Sequence, residues 1–300
     1  MKNEELIIKA KDKYKLSCRL FNTKNLKAII LMIHGMEEHK ERYYDFAKYL
    51  QKNNYVVLIS DMRGHGSDAP ILSHIADKDG DKRLVEDIDI LTKYIKKKYK
   101  EKKIYLFAHS MGTIIARKVL QENSKKYDKV VLSGYPVPQK ISKIGIRLTN
   151  MLISSKGPKE HSKLVTNMAL GSFVKAVKNR ETDLDWLSYN KDNVNNYIND
   201  KLCGVDFTLG SFNTLFKLVY DISKPKNYIN INEDLNILLI SGNDDPVTGY
   251  KKGRIKSLKV LKKAGFKNIE KIVLEKMRHE ILNEKEKDKV YKNILDFYNK

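Results

Sequence analysis

The sequence predicts an α/β chain, a mostly parallel, doubly wound sheet with a helical insertion near its middle. Three observations predict it. Short apolar runs recur along the chain: AIILMIH (28–34), YVVLIS (55–60), KIYLFAH (103–109), KVVLSG (129–134) and LNILLIS (235–241). Continuous apolar runs of this length belong to strands buried on both faces. Segments with helical spacing lie between them, which makes neighbouring strands parallel. From about 135 to 230 this rhythm stops and only amphipathic helical segments remain.

In chain order, residues 5–10 and 15–22 read as a pair of strands around a turn at Lys11–Lys13. A helix follows the run 28–34, with Tyr44, Ala47, Tyr49 and Leu50 on one side of 40–53. Residues 81–100 place Leu84, Ile88, Leu91 and Ile95 on one face of a second helix, and 110–121 form a third after the strand 103–109. The insertion holds three amphipathic stretches, 144–153, 163–177 and 211–220. After the strand 235–241 come a helix near 251–264, a strand at 269–275 and a last helix near 285–298. The core is therefore expected at 1–134 and 231–300, with the insertion at 135–230 as a cap over one end of the sheet.

Composition narrows the function classes. A chain of 300 residues with 41% hydrophobic residues buries most of its unfolded surface and needs no disulfide or metal to fold. Only Cys18 and Cys203 occur; both are expected as buried small hydrophobes. Net charge is +21, carried by 49 lysines against 9 arginines. Nucleic-acid readers favour the bidentate arginine fork, so the charge reads as a solvated lysine surface with no nucleic-acid partner, compatible with weak contact to an anionic membrane surface. The start, MKNEELIIKAKDKYKL, lacks the apolar stretch of a signal peptide. No apolar run approaches the ~20 residues of a membrane span. A soluble, cytoplasmic protein is expected.

Ala108–His109–Ser110–Met111–Gly112 sits where a buried strand gives way to a helix. This is the place and pattern of a nucleophile elbow, G-x-S-x-G, with Ala108 in place of the first glycine. The competing reading is a serine that only caps the helix. His34–Gly35–Met36–Glu37–Glu38–His39 follows the strand 28–34. In α/β-hydrolases the loop at this point and the residue after the nucleophile offer the backbone N–H groups of an oxyanion hole, here Met36 and Met111. His34 and His39 are expected to hydrogen-bond within that loop, without metal-ligand spacing around them.

The same fold orders its catalytic groups Ser, then Asp or Glu, then His. Of seven histidines only His161 and His279 follow Ser110. His161 falls in the insertion, whereas His279 lies between the strand 269–275 and the last helix, where a base can stand over the sheet edge. Asp244 and Asp245, after the strand 235–241, are the candidate acids; spacing alone does not choose between them. The run Asp61–Met62–Arg63–Gly64–His65–Gly66–Ser67 precedes Ser110 and reads as a tight loop held by its own hydrogen bonds.

Together, HGMEEHKERY (34–43), DMRGHGSD (61–68), AHSMG (108–112), SGNDDPV (241–247) and RHEILNE (278–284) resemble the monoacylglycerol lipase and lysophospholipase group of α/β-hydrolases, a group often placed with serine aminopeptidases. The resemblance covers nearly the whole chain. The insertion segment 186–208 also looks like bacterial lysophospholipases. The resemblance implies a Ser110–His279–Asp245 triad, with Asp245 chosen over Asp244 because it precedes Pro246, and a hole formed by Met36 and Met111. It implies an acyl-enzyme mechanism without cofactor or metal, on a small lipid or ester substrate such as a monoacylglycerol or a lysophospholipid. Met36 is larger than the residue common in the lipase branch, which would narrow the acyl site. The rival activities are a small-ester carboxylesterase and an aminopeptidase on short peptides, whose free amine would need acids such as Glu160, Glu181, Asp183 or Asp185. A non-catalytic binding protein and a membrane-surface binder are the readings from other classes.

Overall fold

The computed structural model describes residues 3–300; the first two residues of the expected core segment 1–134 lie outside the described residues. Eight strands form one sheet: β1 (Asn3–Lys9), β2 (Lys15–Phe21), β3 (Ala28–Ile33), β4 (Tyr55–Ser60), β5 (Ile104–His109), β6 (Lys129–Ser133), β7 (Asn236–Gly242) and β8 (Ile269–Leu274). Their spatial order is β1-β2-β4-β3-β5-β6-β7-β8. β1 and β2 pair antiparallel and β2 joins β4 antiparallel; every other pairing is parallel. β3, β4, β5 and β6 are buried along their whole length, which is why each reads as an unbroken apolar run rather than an alternating one.

Successive side chains of a strand point to opposite faces, so each central strand feeds two cores. On one face Ile29, Leu31, Ile33 and Leu106 pack with α2 (Gly80–Lys98) and α3 (Met111–Asn123) through Leu84, Ile88, Ile115 and Val119. On the other, Ile30, Met32 and Phe107 meet α1 (Tyr44–Lys52) and α9 (Lys287–Asn299) through Phe46, Leu50, Ile294 and Tyr298. Each such side chain contributes about 1.5–3 kcal/mol by leaving water. Cys18 and Cys203 are free and buried.

Between β6 and β7 lie α4 (Ser142–Lys156), α5 (Lys163–Ala176), α6 (Lys191–Asn199) and α7 (Leu209–Ile222); α8 (Tyr250–Lys263) links β7 to β8. The pattern predicts α4, α5 and α7 but not α6, whose KDNVNNYIN sequence buries only Asn193, Val194 and Tyr197. α7 differs from its neighbours. Leu209, Phe212, Leu218 and Ile222 are fully buried in the main core. α4 rides on α7 through Gly145, where an added Cβ would stand 2.7 Å from the Phe216 ring. No helix among the described residues is long and apolar enough to cross a membrane.

Candidate active site

The C-terminal ends of the parallel strands converge on one site. Ser110 leaves β5 with φ 50° and ψ −122°, a backbone state that costs about 1–3 kcal/mol for a residue with a side chain. The turn persists because its surroundings fix it: Ser110 N–H donates to Ser133 O at 2.9 Å and Thr113 N–H to Ser110 O at 2.8 Å. Gly112 is required by contact, since a Cβ there would lie 2.4 Å from Ile33 O. Ala108 is fully buried beside β3 and β6, so its methyl group fits where the motif has glycine. The Ser110 hydroxyl does not cap α3; Oγ lies 2.8 Å from His279 Nε2.

His279 and Asp245 arrive on the loops after β8 and β7. The loops are stitched together by Asn243 N–H to Leu274 O at 2.8 Å and Asp244 N–H to Met277 O at 3.1 Å. Asp245 Oδ2 accepts from His279 Nδ1 at 3.0 Å, while Oδ1 accepts from Val247 N–H at 2.8 Å. Asp244 turns away and accepts from the Tyr189 hydroxyl. The geometry thus separates the two adjacent acids. Asp245 is fully buried and His279 nearly so. Burial alone would lower the imidazole pKa, but the Asp245 carboxylate beside it raises it above its ordinary value. Neighbouring His109, whose ring is 4.8 Å away, is pushed down to about 4 by burial and by His279.

Met36 and Met111 flank Ser110 on the cavity wall. Met111 opens α3, so its N–H has no acceptor within the helix. On either side of Met36 the chain is pinned: Gly35 N–H donates to Glu38 Oε1 at 2.6 Å, and Glu37 N–H to His65 Nε2 at 3.2 Å. His34 follows expectation, bonding Gly35 O through Nδ1 at 2.7 Å, and its Nε2 accepts from Met62 N–H at 2.9 Å. Burial drives His34 and His65 down to about 3, so both are neutral acceptors at pH 7. His39 departs from expectation. It bonds outside its loop, to Asp200 at 2.8 Å, because its ring faces the segment after α6. The 61–67 loop is also more than self-contained: Asp61 accepts from Lys40 N–H at 2.7 Å and His65 holds Glu37, so it buttresses the 34–40 loop.

Behind these residues is a charged cluster that sequence reasoning missed. Arg42 makes a two-pronged bond to Glu280 at 2.6 and 2.7 Å and a third bond to Glu38 at 2.8 Å. Tyr43 donates to Glu38, and Asn193 on α6 donates to Glu280. Burial would raise Glu280, but Arg42 holds its carboxyl well below the usual carboxylate range. The cluster ties the 34–43 loop, α6 and the residue next to His279 into one unit. Its signal was present as Glu38 and Arg42 one helical turn apart and Glu280 beside His279, but pattern alone does not separate buried charges from solvated ones.

A cavity of about 640 Å³ opens at Ser110 and His279. Its lining includes the apolar side chains of Ile144, Leu170, Phe173, Leu215, Phe216 and Val219, and also Glu37, Tyr197 and Asp206. Trp186 lines it with its ring 5.4 Å from that of His279. For metals, His39, Asp200 and Cys203 bring three donor atoms within 4.8 Å of one another among the described residues. Burial pushes the Cys203 thiol up, so the thiolate a cation needs is disfavoured.

Comparison with known proteins places the chain in a family. The family model described as Serine aminopeptidase, S33, matches residues 24–286. The chain belongs to this family of α/β-hydrolases. It is 27% identical over 198 residues to the monoglyceride lipase of Mus musculus, a match spanning 62% of this chain and 56% of that protein; the chain thus spans little more than half of that relative's length. A thermostable carboxyl esterase from Bacillus coagulans, solved with glycerol, superposes with a TM-score of 0.92 at 22% identity, covering 100% of this chain and 98% of that one. A soluble variant of the Saccharomyces cerevisiae monoglyceride lipase, solved with a substrate analogue, gives 0.76 at 17% identity over 100% and 95%. At these identities the two structures establish the α/β-hydrolase fold.

Proposed function

We propose that the protein hydrolyses carboxylic esters with apolar acyl chains through an acyl-enzyme formed on Ser110. The observation that carries this reading is the continuous relay Ser110 Oγ–His279 Nε2 and His279 Nδ1–Asp245 Oδ2, at 2.8 and 3.0 Å, at the floor of a largely apolar cavity. His279 takes the hydroxyl proton as Ser110 Oγ bonds to the ester carbonyl carbon. The Met36 and Met111 N–H groups receive the oxyanion, which is worth about 3–4 kcal/mol per donor in sites of this kind. His279 then passes its proton to the leaving alcohol, and water repeats the cycle on the acyl-enzyme. Asp245 holds the imidazole in the tautomer that needs Nε2 free. Within residues 135–230, α4 and α5 act as the cap whose apolar side chains take the acyl chain.

Two observations narrow the substrate. No lysine or arginine is among the described residues lining the cavity, so the phosphodiester of a lysophospholipid has no cation to offset it there. Esters whose alcohol carries no phosphate, such as monoacylglycerols, fit this wall better. Of the four acids named for an aminopeptidase, Asp183 alone lines the cavity, and it is paired with Arg180 at 3.0 Å. The test is hydrolysis of a monoacylglycerol, a lysophospholipid, p-nitrophenyl esters and a proline arylamide by the wild type and Ser110→Ala. Ester turnover reduced about 10⁶-fold in the variant is the expected result. Equal rates for both proteins, or arylamide cleavage without ester turnover, would overturn it.

A further inference from the structure

The chain carries a net charge of +21, yet the cavity at Ser110 is acidic. Glu37, Glu38, Asp183, Asp206 and Glu280 line it, and no lysine or arginine does among the described residues. Three of these acids are already answered: Glu38 and Glu280 share Arg42, and Asp183 holds Arg180. Glu37 and Asp206 form no ion pair among the described residues.

Glu37 is the unusual member. Its residue is only 8% exposed. Oε1 accepts one backbone hydrogen bond, from Phe207 N–H at 3.2 Å, and Oε2 takes none among the described residues. Its backbone is locked: Glu37 O accepts from the Tyr197 hydroxyl at 2.8 Å and from Gly204 N–H at 2.9 Å. The residue sits at φ 57°, a conformation that glycine adopts at least cost. Burial and the nearby Asp206 push its carboxyl up to about 8, so it holds its proton near neutral pH and releases it when a cation is placed beside it. A buried acid with a like charge beside it and no counter-ion lowers stability, and the one hydrogen bond from Phe207 N–H offsets this only in part. Trp186 adds a second feature of the same kind. Its ring lines the cavity beside His279, and an indole face attracts organic cations.

Resting on the ester-hydrolase reading, we infer that the Glu37–Asp206 wall is a subsite for an ammonium or quaternary ammonium group on the alcohol side of the ester. The acyl chain is matched by the apolar side chains that dominate the lining, so the charged group falls on the alcohol. A Cβ at Gly35 would be 3.2 Å from Ser110 Cβ, and Glu37 is two residues further, a span of at most about 7 Å. The acid wall therefore stands near the nucleophile, which suits a short amino alcohol. The substrate class is therefore fatty esters of amino alcohols, with a phosphate between ester and ammonium disfavoured by the same acids.

The test uses two esters that differ only in charge, butyrylcholine and 3,3-dimethylbutyl butyrate, on the wild type, Glu37→Gln, Asp206→Asn and the double variant. The wild type is expected to favour the choline ester in kcat/KM by roughly tenfold or more, mainly through KM, with the ratio falling toward one in the double variant. Glu37→Gly suits the left-handed backbone and should lose the preference equally, which covers a folding failure of the glutamine variant. A wild-type ratio near one with both esters turned over in a Ser110-dependent way overturns this inference alone. A preference that survives the double variant also overturns it. If no ester is hydrolysed in a Ser110-dependent way, the ester reading fails and this inference with it.

Discussion

The floor and the roof of the cavity are held in different ways. The floor is the C-terminal edge of a parallel sheet, where β3, β5 and β6 are buried at every position and the loops after β5, β6 and β7 are each bonded to the neighbouring strand. The roof is α4 and α5. α4 buries only Gly145 and Thr149, and α5 only Val165. The floor needs distances fixed to a few tenths of an ångström, because a proton must pass from Ser110 to His279. The roof needs only an apolar surface of the right shape. Packing density follows that difference in demand, and substitutions of increasing mildness can test it.

The largest effect should come from the floor. Asp245→Asn keeps the shape but removes the charge and the tautomer control, so kcat should fall about 10⁴-fold, whereas Asp244→Asn, next in the chain, should stay within a few-fold. Steady-state kinetics on the pair decides it. The same variant tests the electrostatics. His279 must be neutral to act as a base, and Asp245 raises its pKa, so wild-type kcat/KM should fall with decreasing pH through a value above the ordinary ~6.5. The residual activity of Asp245→Asn should show that limb shifted to lower pH. Comparable losses at 244 and 245 would mean that the floor is not as specific as its geometry implies.

Next comes the joint between the floor and α6. Arg42 links Glu38, Glu280 and, through Asn193, α6. Removing one partner leaves a buried charge unanswered, so Arg42→Met should cost about 3–5 kcal/mol of stability. Arg42→Met combined with Glu280→Gln and Glu38→Gln should recover part of that loss. Chemical denaturation of the single and triple variants measures it, and additive losses would refute a shared network.

These two regions also explain what could be read from the sequence. The strands were legible because burial on both faces leaves long apolar runs; strand ends and chain order single out Ser110 and His279 as candidates, and the structure brings the two side chains together. The choice between Asp244 and Asp245 was not visible in spacing; it depends on which side chain the turn after β7 directs inward. α6 was missed because it is held by polar contacts such as Asn193 to Glu280 rather than by an apolar stripe. α7 reads like α4 and α5 in its periodicity, yet lies in the core, since an amphipathic face does not say what covers it. Glu37 looked like one more charge in a charged loop, and only its burial distinguishes it.

A smaller effect follows from that burial. With its folded-state pKa near 8 and an unfolded value near ~4.3, Glu37 keeps in the folded state a proton that the unfolded state releases. Its presence therefore lowers stability progressively as pH rises through that window. Glu37→Gln should equal the wild type at pH 4 and exceed it at pH 8, by on the order of 1–3 kcal/mol. Thermal melts across pH check the sign; a variant less stable at pH 8 would show that the carboxylate already has a partner in the fold.

The smallest effect belongs to the roof and rests on two adjacent residues. Leu164 is 65% exposed and Val165 is fully buried. Val165→Ala removes two methyl-sized groups from the core and should cost ~1.5 kcal/mol, while Leu164→Ser should leave stability within about 0.5 kcal/mol. If α5 is held through this single buried side chain, Val165→Ala should also raise KM for long-chain esters more than for short ones, because only a long acyl chain reaches the helix. Equal costs at 164 and 165 would mean that α5 is seated on both sides, and the contrast between a fixed floor and a lightly held roof would have to be withdrawn.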